Sequence, residues 1–196
     1  MKRHFQGLYY QIATCGVAMG WTYKIQLQQA EKNTKLSRWI KRLAIFFSAL
    51  VSISALQAAL NIFNFSDDAA NFITAITGVF ATVFVGLDNK IDYSDLAKEN
   101  IKCSAECRDI MMSYRSLLTD IKSGVYTSYE QIVYVRDSLQ NKELELFKKA
   151  PITFKSAVKK AEKKLMKLND NQTTKKEIAK ILGTSFILSD EDFEDR

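Results

Sequence analysis

The chain has one histidine, one proline, three cysteines and seven glycines in 196 residues, and each shortage closes off a class of function. His4 is the sole imidazole, so acid–base chemistry or a Ser/Cys nucleophile would have to recruit that one residue, and nothing around it forms a site. No Gly-rich phosphate loop and no metal-ligand cluster occurs in the sequence. The expectation is a protein that is not an enzyme, with no catalytic residue, no cofactor and no metal. Three cysteines without regular spacing fit a reducing compartment rather than a disulfide framework. Cys103 and Cys107 lie four apart and would share a helical face, but they lack further ligands and read better as small apolar residues of a packed seam. With so few helix breakers and a dominance of Ala, Leu, Lys, Glu and Gln, the fold class is all-α.

What the chain does have is two long runs without charge. Leu43 to Ser66 is 24 residues with no Asp, Glu, Lys or Arg, about 36 Å as a helix, and a bilayer hydrocarbon core is about 30 Å thick. Ala69 to Leu87 adds 19 more, about 28 Å on the same rise. The turn Asn64 to Asp68 between them carries only Asp67 and Asp68 as charges. A core helix of a soluble bundle keeps a polar stripe, whereas both runs are apolar nearly all round. A transmembrane helical hairpin over 43–87 is therefore preferred to a pair of buried soluble helices.

Charge placement orients that hairpin. Lys32, Lys35, Arg38, Lys41 and Arg42 precede it, and Lys90, Lys98 and Lys102 follow. By the positive-inside rule these flanks stay cytoplasmic and the Asp67/Asp68 turn faces the other side, which makes the chain multi-pass in the inner membrane with both termini cytoplasmic. Residues 1–42 read as cytoplasmic amphipathic and basic helices. The uncharged Phe5 to Tyr23 stretch imitates a signal peptide but is interrupted by Gln6, Tyr9, Tyr10 and Gln11. Phe5, Leu8, Ile12, Cys15 and Met19 instead recur at spacings of three and four, an amphipathic helix, with a second helix expected from about Tyr23 to Arg38.

Within the hairpin, helical angles separate faces. Ala44, Ser48, Ser52, Ala55 and Ala59 form a small-residue side of the first run, and Thr74, Gly78, Thr82 and Gly86 a matching ladder on the second. Small residues let backbones approach in lipid, so the two ladders are expected to meet. Ser54, Gln57, Asn61 and Asn64 gather on the opposite side of the first run. They either hydrogen-bond between helices or line a water-filled path in an oligomer.

Beyond the membrane, Tyr93, Leu96, Asn100, Cys103, Cys107, Ile110, Tyr114, Leu117 and Ile121 alternate spacings of three and four, a heptad seam on one long helix over 88–122. It is taken as an oligomer seam, although pairing within the chain uses the same pattern. Residues 123–183 follow as lysine-rich cytoplasmic helices. Ser123-Gly124 stops the seam helix, Thr127 to Glu130 forms a capping box for the next, and Pro151 ends that one near Ala150. Between Lys142 and Lys180 there are twelve lysines against five acids. Lys155, Lys159, Lys160, Lys163, Lys164 and Lys167 coat one amphipathic helix there and suit nucleic acid, the anionic inner leaflet, or simple solvation. A short helix capped by Thr174 and Glu177 stops at Gly183, and the acidic tail 184–196 reads as flexible.

This layout of basic lead (Lys32 to Arg42), two-span hairpin (Leu43 to Leu87) and long following helix (Tyr93 to Ile121) resembles the SLATT domain family of bacterial two-transmembrane conflict effectors, over roughly Tyr23 to Leu118. The resemblance implies a membrane-disrupting, pore-forming effector of an anti-phage system that causes abortive infection. It also implies a homo-oligomer in the lipid bilayer and a co-encoded trigger: a nucleotide-cyclising enzyme, a nucleotide-sensing domain, or a retron-type reverse transcriptase with its nucleic acid. No catalytic motif carries over, and residues beyond about Asp120 fall outside the part that resembles the family. The competing expectation is a membrane-anchored interaction scaffold without pore activity.

Overall fold

The computed structural model describes residues 2–60, 67–126, 128–165 and 175–187. Among the described residues the elements are six α-helices and one 3₁₀ turn: α1 (Lys2–Leu60), α2 (Asp67–Lys90), α3 (Tyr93–Lys122), α4 (Tyr129–Lys149), α5 (Lys155–Leu165), α6 (Lys175–Ile181) and the turn Thr184–Phe186. The all-α expectation holds. The chain forms two compact units, Met1–Ala30 with Glu99–Arg196, and Glu31–Lys98.

One expectation about the lead fails. The two helices foreseen before the first apolar run are a single uninterrupted 59-residue helix. Nothing between Lys2 and Leu60 would break it, since the stretch contains no proline, and its glycines are tolerated where packing replaces the lost side chain. The boundary between the two units falls inside this helix, at Ala30/Glu31.

The first unit is a helical bundle. Its core joins Leu8, Tyr9, Ile12, Ala13, Val17 and Met19 of α1 to Cys103, Cys107, Ile110, Tyr114, Leu117, Leu118 and Ile121 of α3. Ile132, Leu139 and Leu146 of α4 and Ile178, Leu182 and Phe186 close it. Each helix contributes positions three and four apart, which is what places them on one side at 3.6 residues per turn. Gly16 and Gly20 let neighbours come close to α1. A Cβ on Gly16 would sit 3.3 Å from both Leu182 Cδ2 and Tyr114 Cβ, and one on Gly20 would collide with Ile181 Cγ2 and meet Met111 Sδ at 3.2 Å.

Helix ends follow the local chemistry. Ser128 caps α4, its hydroxyl accepting from Gln131 N at 3.3 Å. The cap thus lies one residue beyond the expected Thr127, which is outside the described residues, and Gln131 occupies the third helical position that a capping box assigns to Glu or Gln. Ala150 turns extended, with ψ 131°, before Pro151. Gly183 follows α6 at φ 121°, a conformation that excludes side chains. The tail is not free at its start: Tyr9 Oη donates to Phe186 O at 3.3 Å, Lys122 Nζ to Ser185 O at 2.9 Å, and the Arg115 guanidinium lies 5.4 Å from the Phe186 ring centre. The rest of the acidic tail, 188–196, lies outside the described residues.

Candidate functional site: the apolar hairpin

The unit Glu31–Lys98 consists of the second half of α1, α2 and the first turns of α3. Its outer surface is oil-like. Ile45 is 70%, Phe72 67%, Val79 63% and Phe46 56% exposed. Apolar side chains displayed in this density on both helices have no counterpart on a water-soluble surface. Helix α1 contains an 18-residue window apolar enough to cross a membrane, and only 6% of it is buried. The corresponding run of α2, Asn71–Leu87, reaches about 26 Å, a few Å short of a typical core, a mismatch that a bilayer accommodates by thinning locally.

The inward positions of the two helices coincide with the expected faces only in part. On α1, Asn33, Ser37 and Ile40 are buried and Ala44, Phe47, Val51 and Ser54 half-buried, a strict alternation of four and three. On α2 the inward positions are Thr74, Thr77, Gly78, Ala81 and Phe84. The Phe47 ring stacks on Phe80 at 5.2 Å and on Phe84 at 5.5 Å. This aromatic stack sits among small inward residues, Ala44 and Ser54 on α1 and Thr74, Gly78 and Ala81 on α2. Ser48, Ser52 and Ala55 of α1 and Thr82 and Gly86 of α2 are exposed, whereas Ala44, Thr74 and Gly78 of the expected set are half-buried. Even at Gly78 and Gly86 an added Cβ would meet nothing within 4 Å.

Four hydroxyls on these helices bond to the backbone of their own helix, the arrangement that lipid favours. Ser52 donates to Ser48 O at 3.0 Å, Thr82 to Gly78 O at 2.9 Å and Thr77 to Ile73 O at 2.8 Å. Ser54, foreseen beside Gln57 on an amide face, lies on the packing stripe and donates to Leu50 O at 2.9 Å. Asn61 and Asn64 lie outside the described residues, as does the side chain of Gln57.

Helix α2 does not run on into α3. Asp92 interrupts, its Oδ1 accepting from Ser94 N at 2.9 Å and Asp95 N at 3.0 Å. These amide bonds, that of Asp95 foremost, hold its carboxyl below the ordinary carboxylate range.

The residues of the expected oligomer seam are buried within the chain's own fold. Asn100 is 1% exposed, Cys103 5%, Cys107 0%, Ile110 9%, Tyr114 0% and Leu117 2%. The apolar ones share one core with residues of the chain's own α1, α4 and α6, and Asn100 hydrogen-bonds Gln26 of α1. Where that core is polar it is internally matched. Tyr114 Oη donates to Glu143 Oε2 at 3.1 Å. Burial, and after it the Glu143 charge, pushes the Tyr114 phenol well up, and burial likewise raises the Glu143 carboxyl above its usual 4.5. The Cys107 thiol is raised by its hydrogen bond with Cys103 and by burial.

A row of buried amides on α1 escaped the reading of the sequence. Gln26, Gln29 and Asn33 are buried, and their spacings of three and four were the available signal. Asn100 Nδ2 donates to Gln26 Oε1 at 2.6 Å, Gln26 Nε2 to Pro151 O at 3.2 Å, and Phe154 N to Gln29 Oε1 at 3.1 Å. Lys155, Lys159, Lys160 and Lys163 are exposed on α5. Lys164 is helical, with its side chain undescribed, and Lys167 lies outside the described residues.

No curated protein and no solved structure matches the chain. Residues 8–177 match the profile of the SMODS and SLOG-associating 2TM effector domain family 4. The match takes in α4, α5 and the start of α6, so the family extends well past Asp120, where the resemblance in sequence layout stopped. With this match spanning most of the chain and a hairpin of two apolar helices inside it, the protein belongs to the SLATT family of two-transmembrane effector domains.

Proposed function

We propose that this chain is the membrane-permeabilising effector of a bacterial anti-phage defence system, causing abortive infection when a co-encoded sensor releases or triggers it. The observation that carries the proposal is the hairpin: two helices whose outward side chains are apolar and exposed and whose charged residues sit at the ends, inside a family described as a two-transmembrane effector. The basic residues before and after it favour the inner membrane with both termini cytoplasmic. The family description, which associates it with SMODS and SLOG proteins, favours a sensor partner of nucleotide-handling type.

The small-residue faces left unfilled within the hairpin (Ser48, Ser52, Ala55, Thr82, Gly86) suit contacts between copies. Gln57 and Asn61 are then the polar groups assigned to the permeation path. Inducible expression with a membrane-potential dye, with and without the neighbouring sensor genes, tests the reading. Triggered cells are expected to depolarise, and Gln57→Leu with Asn61→Leu to blunt the response. Unaltered potential and growth under every trigger overturn it. An unrelated two-span anchor in place of 31–98 is expected to abolish activity, whereas full retention would make the chain a tethered scaffold.

A further inference from the structure

We infer that the loop 150–154 and helix α5 form a docking surface for an anionic lipid leaflet, separate from the hairpin. The loop is pinned from within and apolar without. Its backbone is tied to α1 by Gln26 Nε2 donating to Pro151 O at 3.2 Å and by Phe154 N donating to Gln29 Oε1 at 3.1 Å. Both glutamines are buried, Gln29 completely. With the polar backbone so occupied, the side chains turn outward: Ile152 is 88% and Phe154 54% exposed. A bare isoleucine at a proline turn contributes nothing to the bundle, and it remains in place because the amides fix the backbone that carries it.

The helix that follows supplies matching charge. Ala157 is 1% and Ala161 0% exposed, so α5 rests on the bundle through its alanines. At about 100° per residue, Lys155, Lys159 and Lys163 lie on the opposite ridge, and all three are exposed, with Lys160 exposed at the flank and Glu162 the single acid of the helix. Two apolar tips beside a lysine ridge is the composition that enters a headgroup layer: the tips reach the acyl boundary while ammonium groups pair with lipid phosphates. Nucleic acid would use the lysines equally well but has no use for an exposed isoleucine. The occupant is therefore an anionic leaflet, and a chain that already carries a membrane hairpin meets one at high effective concentration.

Hydrogen–deuterium exchange of the full chain in nanodiscs tests this, comparing phosphatidylcholine alone with discs containing phosphatidylglycerol. Slowed exchange over 150–163 is expected only with the anionic lipid. Each of Lys155→Gln, Lys159→Gln and Lys163→Gln is expected to weaken the engagement about fivefold, the equivalent of about 1 kcal/mol per surface lysine. Ile152→Ser with Phe154→Ser, positions already exposed to solvent, is expected to remove the protection while exchange in the α3 core stays native. Equal exchange in both disc types overturns the inference. So does lysine-dependent binding of a labelled oligonucleotide to the chain in phosphatidylcholine discs without lipid-dependent protection, which would make the ridge a nucleic-acid site. Neither readout involves permeability, so failure here leaves the proposed function standing.

Discussion

At the scale of single residues, the same substitution is expected to act with opposite sign at two glycines of α1. Gly7 has open space around it, so Gly7→Ala should stabilise by about 0.5–1 kcal/mol through helix propensity alone. At Gly20 the new methyl collides with Ile181 and presses on Met111, and overpacking of this kind costs about 1–3 kcal/mol. Thermal unfolding in detergent of the two variants should move the midpoint up and down respectively. A second residue-scale expectation concerns pH. The Glu143 carboxyl is raised above its usual 4.5 by burial, against a smaller opposing effect of the Tyr114 hydrogen bond. The folded state therefore holds this proton more tightly than the unfolded one, so stability falls as pH rises through the carboxylate range and stays reduced above it. Glu143→Gln keeps an acceptor for Tyr114 and removes the charge. Its unfolding midpoint should exceed that of the parent at pH 7, with the gap closing towards pH 4. A constant gap across that range would show that charge is not the cause. Neither residue's environment was visible in the sequence, because what surrounds Gly20 and Glu143 comes from helices 90 or more positions away or from a neighbour in α3.

At the scale of elements, the helices were legible wherever a local rule applied. Pro151 and Gly183 act through their own backbone geometry and Ser128 through its side-chain cap, and all three ends fell where those local rules put them, within a residue. Apolar length likewise located the hairpin. The face it packs with was legible only in part, at Ala44, Thr74 and Gly78, because in runs apolar all round no polar stripe marks the outside and small residues do not reveal where a stacked aromatic lies. Phe47, between Phe80 and Phe84, is expected to carry the contact. Aromatic pairs contribute about 0.5–1.5 kcal/mol each beyond area burial, so Phe47→Ala should loosen the hairpin by about 1–3 kcal/mol if both stacks are lost. Ser52→Leu, on an exposed position, should leave it unchanged. Resistance to steric unfolding in bicelles distinguishes the two. Equal loss in both variants would return the packing face to the serine side.

At the scale of the molecule, the α3 seam was legible as a buried stripe but not as to its owner. Heptad spacing specifies that a helix is covered, and the same three-four pattern serves a partner chain or the chain's own α1, α4 and α6. Since Cys107 and Tyr114 are fully enclosed, the proposed assembly of copies would use surface that the single chain leaves open. Ile110→Asp should accordingly unfold the bundle, lowering helical content, rather than release a folded monomer. The membrane offers such open surface at Ser48, Ser52 and Gly86, which are exposed and, at Gly86, free of any neighbour within 4 Å. Close backbone approach at small residues is how helices associate where the solvent is itself apolar. Oxidative cross-linking in native membranes should therefore capture dimers through Ser52→Cys and Ser48→Cys. Val51→Cys, turned inward on the packing stripe, should give none. Cross-links equal at all three positions, or absent from all, would remove this face as the route of assembly.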